Sequence, residues 1–318
     1  MTIIEKLNKS EGKTLFSFEI LPPLKGDTIN SVYENVDPLM EFDPAYINVT
    51  YHREEIVLKP AGNGLLRKKI IRKRPGTIGL CAAISARYKV ETVPHLLCGG
   101  FSREDTENAL IELDFLGIRN VLALRGDSVK GQRHFMPEPY GNAFAVDLVK
   151  QITDLNNGIY IDEELENKHA TNFCVGVAGY PEKHFEAPSL NIDIQNLKAK
   201  VDAGADYVVT QMFFDNASYF SYVEKCRDAG INVPIIPGIK PFASKRQLSI
   251  LPTMFHVDLP DALALEVLKS KSNESVRQIG IEWAIEQGRE LLAAGVPALH
   301  FYSMGRSENI RNIAAQLF

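Results

Sequence analysis

Cysteine is scarce in this chain, and so are the motifs that announce common chemistries. The four cysteines, Cys81, Cys98, Cys174 and Cys226, are scattered and form no CxxC pair. That argues against a disulfide framework and a thiol redox motif, and implies reduced thiols in a cytoplasmic protein. The seven histidines show no HxH or HExxH spacing, so no metal site is expected. No GxGxxG follows a strand-like run, no GxxxxGK[ST] occurs and no GxSxG occurs. Rossmann dinucleotide binding, P-loop nucleotide binding and a nucleophile elbow lose their usual signatures. No run is long and apolar enough to span a membrane, and the N-terminal MTIIEKLNKSEGK lacks a signal-peptide core. A net charge of -5 argues against nucleic acid as a partner.

What is present is a regular alternation. Eight β-like runs cover Thr14–Leu21, Ala45–Tyr51, Thr92–Cys98, Asn120–Gly126, Asn172–Tyr180, Tyr207–Phe214, Pro234–Lys240 and Ala298–Met304. Several are almost continuously apolar and β-branched, as strands covered on both faces of a parallel sheet are. Helical stretches lie between them. Ser102 opens one that stops at Gly117, Ser189 one that stops at Gly204, and the helix beginning at Asn273 stops at Gly295. Thr77–Tyr88 reads as strand or helix; Pro75 suits a helix start, so helix is expected. Eight strand–helix units predict one (β/α)8 TIM barrel over residues 1–318, with a doubly wound sheet as the rival. Two connections are oversized: Tyr51–Gly76, with the basic run Arg67–Arg74, and Asp127–Tyr140, which reads as a mobile active-site loop. The basic run is read as a solvated face, with phosphate contact as the lesser alternative.

In such a barrel the chemistry sits where the strands end at their C-terminal side. Those ends carry Glu19, Asn48 and Thr50, His95, Arg125 and Asp127, Tyr180 with His184, Gln211 with Asp215, Lys240, and Arg306. Each has a bland alternative: a tied carboxylate, a cap, a satisfied core histidine, a partnered amide. Their convergence on one rim is harder to explain by packing. Glu19 is the sharpest signal. It ends an otherwise apolar strand at Pro22 and Pro23, where a carboxylate is costly to bury unless paired or protonated. A raised pKa is what a general acid needs near neutral pH.

These rim segments resemble the methylenetetrahydrofolate reductase family of the short bacterial type. The matching stretches are Phe16-Ser-Phe-Glu-Ile-Leu-Pro-Pro23, Val49-Thr-Tyr51, Pro94-His-Leu96, Leu124-Arg-Gly-Asp127, Tyr180-Pro-Glu-Lys-His-Phe-Glu-Ala187, Lys198-Ala-Lys-Val-Asp-Ala-Gly-Ala-Asp206, Thr210-Gln-Met-Phe-Phe-Asp215, Ile236-Pro-Gly-Ile-Lys-Pro241 and His300-Phe-Tyr-Ser-Met-Gly-Arg306. They occur in family order along the whole chain. The resemblance implies a barrel holding FAD without covalent attachment, with NADH or NADPH as co-substrate. It implies ping-pong hydride transfer that turns 5,10-methylenetetrahydrofolate into 5-methyltetrahydrofolate for methionine synthesis.

By the same resemblance Glu19 is the general acid, and Asp127 lies beside flavin and folate as a second catalytic residue. Asp127, Gln211 and Arg306 are implied to hold substrate, and Thr50 and Gln211 to contact nicotinamide. FAD contacts are implied at Tyr51, His95, Arg125, Gly126, Asp127, Ala145, Tyr180, His184, Ala187, Asp193, Asn196 and Lys200. The chain departs from the family at Ala199, where an arginine is common, and in the His52-Arg-Glu-Glu stretch. Near Phe242 and Lys245 an expected stacking aromatic has no clean match, so that role is unassigned. Family members form homo-oligomers. A chain ending at Phe318 is expected to have no C-terminal regulatory domain and no inhibition by S-adenosylmethionine. The nearest rival is another FAD barrel of the proline dehydrogenase kind, in which amine oxidation needs no ring-opening acid; a ligand-binding protein that has kept the barrel is a second.

Overall fold

The computed structural model describes residues 1–129, 132, 134–303 and 307–318. A short helix, α1 (Ile3–Lys9), leads into β1 (Leu15–Ile20), α2 (Ile29–Val36), a 3-10 segment (Asp37–Phe42) and β2 (Tyr46–Val49). A hairpin of β3 (Glu55–Pro60) and β4 (Leu66–Ile71) stands before α3 (Thr77–Tyr88). Then come β5 (Glu91–Leu97), α4 (Arg103–Phe115), β6 (Asn120–Leu124), α5 (Ala145–Asn156), β7 (Cys174–Gly179), α6 (Leu190–Asp202), β8 (Tyr207–Thr210) and α7 (Asn216–Asp228). The next strand is in two pieces, β9 (Ile235–Ile236) and β10 (Gly238–Ile239). Helices α8 (Gln247–Phe255), α9 (Asp261–Lys269) and α10 (Asn273–Ala293) follow, then β11 (Ala298–Tyr302) and α11 (Glu308–Leu317).

The sheet runs β10-β11-β1-β2-β5-β6-β7-β8-β9, and every pairing in it is parallel. Its two ends, β9 and β10, are halves of one strand broken at Pro237. Proline has no N–H to give to the ladder, but its carbonyl still accepts from the His300 N–H at 3.0 Å. The eight strands therefore close on themselves, as the (β/α)8 expectation requires. A doubly wound sheet would leave two free edges.

Side-chain alternation sorts the strands into two cores. Phe16, Phe18 and Ile20 of β1 pack outward, in one cluster with Val32 and Val36 of α2 and Ile310 and Ile313 of α11. Tyr46, Val93, Leu122, Tyr207, Val209 and Ile236 face inward and form a second cluster. Ile3 closes that inner cluster, with Ile4 and Leu7 beside it. Helix α1 can seal the barrel there because its start is pinned twice. Thr2 and Glu5 make a capping box, and the Ile3 N–H donates to Asn120 Oδ1 at 2.8 Å.

The expected helix at Thr77–Tyr88 is present. Gly117, Gly204 and Gly295 follow α4, α6 and α10 with positive φ, as helix stops. The Tyr51–Gly76 connection holds the β3–β4 hairpin, and Arg67–Ile70 of the basic run lies exposed along it. Lys73 meets Glu55 across the hairpin at 2.5 Å, while Arg74 donates to the Pro22 carbonyl and Arg72 turns to a cavity at the barrel mouth. Among the described residues no helix is long and apolar enough to cross a membrane, and no group of three metal-ligating side chains occurs.

Candidate active site

Glu19, Asn48 and His95 converge at the C-terminal mouth of β1, β2 and β5. Glu19 Oε2 lies 3.3 Å from His95 Nε2, and the carboxyl side chain keeps 12% of its surface exposed. It is thus enclosed yet reachable from the mouth. Burial pushes the Glu19 carboxyl up to about 8, a rise that the Lys240 charge partly opposes. Burial, together with the His52 charge, brings His95 down to about 3. At neutral pH the pair is therefore a carboxylic acid against a neutral imidazole, not an ion pair. Asn48 Nδ2 lies 3.4 Å from the same ring nitrogen. An amide nitrogen only donates, so Nε2 is the unprotonated nitrogen, and its single lone pair faces both the Asn48 N–H and the Glu19 carboxyl.

A second histidine, His300, is fully buried deeper in the barrel. Its Nδ1 lies 3.0 Å from Ser17 Oγ, and its ring stacks on Tyr46 at 5.9 Å. Burial takes it down to about 3 as well, helped by His95. An unfolded histidine protonates near 6.5, so the unfolded chain binds more protons than the folded one between those values. The stability these two residues allow is present above pH 6.5 and is lost as pH falls toward 3. At pH 5 each should cost about 2 kcal/mol. Because buried carboxyls such as Glu19 titrate the other way, the test is a difference: the change in urea stability from pH 7 to pH 5 should be less unfavourable by about 2 kcal/mol in His300→Gln than in wild type, and an equal change in both would remove the argument.

Between β6, β7 and α6 the mouth carries charges of both signs. Arg125 follows β6 and is tied to Glu186, with its guanidinium 5.1 Å from the Phe135 ring centroid. Tyr180 follows β7 with its ring 4.7 Å from His184. Burial raises the Tyr180 phenol, and the charges of Asp193, Asp127 and Glu186 raise it further against Arg125. Asp193 Oδ2 accepts the His184 N–H at 2.9 Å, and the His184 carbonyl accepts the Ala187 N–H. Lys200 turns its ammonium inward to the Ala178 carbonyl at 2.7 Å, where burial lowers it to about 8. Gly126 has φ +84°, and a Cβ there would sit 3.3 Å from Leu97. A cavity of about 870 Å³ opens beside Tyr51, Pro94, His95 and Phe101, its walls carrying Arg53 and Arg72 together with Glu54, Asp105, Glu112 and Glu138. Arg125 and Lys200 as partners for phosphate, a strand end narrowed to glycine and a cavity of this size leave room for a cofactor with a flat ring and a phosphate tail.

The remaining sequence-derived residues fall as follows. Thr50 ends β2 with Oγ1 3.2 Å from His52 Nε2. Tyr51 is half-buried, its ring 5.0 Å from Phe101. Asp127 accepts from Arg53 through its carbonyl at 2.9 Å. Ala145 begins α5. Gln211 folds its Oε1 back onto the Met212 N–H at 3.0 Å. Asn196 is exposed on α6, on the helix face that carries Asp193 and Lys200. Asp215, on the rim by sequence, instead caps α7 through the Ala217 N–H. Arg306 lies outside the described residues. Sequence reasoning assigned no role to Glu186 or Lys240. Nothing in the chain marks Glu186 as the partner of Arg125. Lys240 did carry a signal, a cation at the end of an apolar run.

The fold and this mouth define a (β/α)8 barrel with a buried acid and a wall of paired charges at the C-terminal ends of its strands. The sequence profile of methylenetetrahydrofolate reductase matches residues 3–318, and the chain belongs to that family. The "Methylenetetrahydrofolate reductase (NADH) 1" of Arabidopsis thaliana is 33% identical over 334 residues, covering 100% of this chain and 51% of its own length. The 5,10-methylenetetrahydrofolate reductase of Pectobacterium carotovorum is 32% identical over 312 residues, covering 96% of this chain and 91% of its own. The chain thus spans about half the length of the plant relative and most of the bacterial one. Among solved structures, an uncharacterized protein from Clostridium thermocellum that binds two copies of 5-methyl-5,6,7,8-tetrahydrofolic acid superposes with a TM-score of 0.60. It is 13% identical, covers 99% of this chain and 97% of that one, and the likeness is one of fold.

Proposed function

We propose that this chain reduces 5,10-methylenetetrahydrofolate to 5-methyltetrahydrofolate with a reduced nicotinamide. The observation that carries the reading is Glu19, a carboxyl held protonated at neutral pH and still reachable from the barrel mouth. The substrate's one-carbon unit bridges two nitrogens in a five-membered ring. Hydride adds readily only after that ring opens to a cationic iminium, and opening requires a proton on the departing nitrogen. Glu19 supplies it. His95, neutral against the carboxyl, fixes the direction of the O–H without taking the proton. Asp127, at the same mouth, offers fixed negative charge to the iminium. Gln211 has a donor and an acceptor for a pterin edge or a carboxamide once its Oε1 leaves the Met212 N–H. Arg306 is assigned to the glutamyl carboxylate of the folate.

Arg125, Lys200, the His184 loop and Gly126 would hold FAD at its phosphates and ring, with Tyr51 and His95 beside the ring. FAD, when bound, supplies the hydride relay between nicotinamide and the one-carbon unit. Anaerobic stopped-flow spectroscopy of the FAD-loaded chain tests the function. The flavin band should bleach with NADH or NADPH, and should recover when methylenetetrahydrofolate is added. Bleaching without recovery would reject the folate assignment and return the barrel to the wider class of flavin oxidoreductases.

A further inference from the structure

We propose that Lys240 sets the acid strength of Glu19, holding an ammonium opposite the carboxyl so that the proton can be released to substrate. The inference rests on the reductase reading and names a positioning residue for it. Lys240 directly follows β10 and is 5% exposed. Alternation along the strand fixes its direction. Ile239 belongs to the outer cluster with Phe301, so the residues on either side of it face the lumen. Gly238 faces inward indeed, since a Cβ there would come 2.6 Å from the Tyr302 ring. Strand β11 lies between β10 and β1. Tyr302 is the register partner of Glu19, and Phe301 is the partner of Ile239. Lys240 and Glu19 therefore flank Tyr302 from its two sides at one level of the barrel. Among the described residues, no carboxylate makes an ion pair with Lys240.

The groups facing Glu19 are His95 from β5, Tyr302 from β11 and Lys240 from the end of β10. His95 is neutral, and the Tyr302 phenol is kept protonated by burial while its O–H donates to the Thr210 carbonyl at 2.6 Å. Lys240 is the charge that acts on the carboxyl. A carboxyl this enclosed would otherwise keep its proton too firmly. When the Glu19 O–H breaks and an N–H forms on the departing folate nitrogen, the bonding pair stays on the carboxylate. Lys240 then faces a charge that did not exist before the step. Its attraction grows as the proton leaves, so it favours the transition state over the ground state.

The test uses two neutral variants, Lys240→Met and Lys240→Gln, with Lys240→Arg to restore charge. Infrared titration follows the Glu19 carboxyl band, assigned by its loss in Glu19→Gln. Stopped-flow follows each half-reaction of the FAD-loaded enzyme. In both neutral variants the band should persist about one pH unit or more higher than in wild type. The folate step should slow by about tenfold or more, with the nicotinamide step within about twofold. Lys240→Arg should recover most of both properties. A band that titrates at the wild-type pH in both neutral variants overturns the proposal, as does equal slowing of both half-reactions. The infrared result does not depend on folate turnover. A shifted band in an enzyme that never turns over folate would leave the coupling standing and sink the reductase reading; an unmoved band in an active enzyme would do the reverse.

Discussion

Glu19→Gln should abolish folate reduction and leave a more stable protein. General acids contribute about 10²- to 10⁴-fold, and here the acid is needed before hydride can add at all. The folate half-reaction should therefore fall by at least about a thousandfold, while bleaching of the flavin by nicotinamide, which involves no ring opening, stays within about twofold. The stability change follows from linkage. The Glu19 carboxyl titrates at about 8 in the fold against 4.5 when free. A raised carboxyl pKa means that the folded chain binds the extra proton. Its favourable contribution is complete below pH 4.5 and is lost as pH rises toward 8. At pH 7 the cost of keeping this group in the barrel is about 3 kcal/mol. Glutamine has no proton to lose, and its amide can still donate to His95 Nε2. The variant should gain most over wild type at pH 8 and least at pH 5, by urea midpoint. Retained folate turnover would end the acid role. An advantage that did not change with pH would mean that the carboxyl is not held neutral by burial.

That a site residue should weaken the fold explains why it was visible in the sequence. A carboxylate in Phe16-Ser-Phe-Glu-Ile-Leu21 conflicts with its local pattern, and such conflicts gather where function is placed. The barrel strands were legible for the opposite reason: their apolar runs agree with burial on both faces, and each barrel strand lies within or one residue outside its expected run. The β3–β4 hairpin was not legible as strand. Its residues are charged or exposed, so burial left no alternation, although Gly62-Asn63-Gly64 marked the turn. Partnerships were harder still. Glu19 meets His95 because β2 lies between β1 and β5, a fact of ring order rather than of spacing. Glu186 meets Arg125 across two strand ends. Gly280 carries no signal of its own within its long helix; its reason lies in a segment 38 residues earlier.

Gly280→Ala should be among the most damaging small substitutions in the chain. A Cβ at 280 would lie 2.1 Å from the Phe242 carbonyl oxygen and 2.6 Å from its nitrogen. Those are backbone atoms of the segment that leaves β10, so no rotamer change can clear them. Either α10 lifts or the segment Lys240–Phe242 moves. Alanine gains about 1 kcal/mol over glycine in a helix, but overpacking of this kind costs about 1–3 kcal/mol, and contact with backbone belongs at or beyond the upper end. The net loss should be about 2 kcal/mol, several degrees in Tm. Gly79 in α3 is the control. A Cβ there meets nothing within 4 Å, so Gly79→Ala should stabilise by about 0.5–1 kcal/mol. Opposite signs for the same substitution in two helices separate steric exclusion from helix propensity. If Gly280→Ala also raised Tm, the close approach of α10 to Phe242 would be wrong. With it would go the placement of Lys240, which the same segment holds against Glu19 across Tyr302.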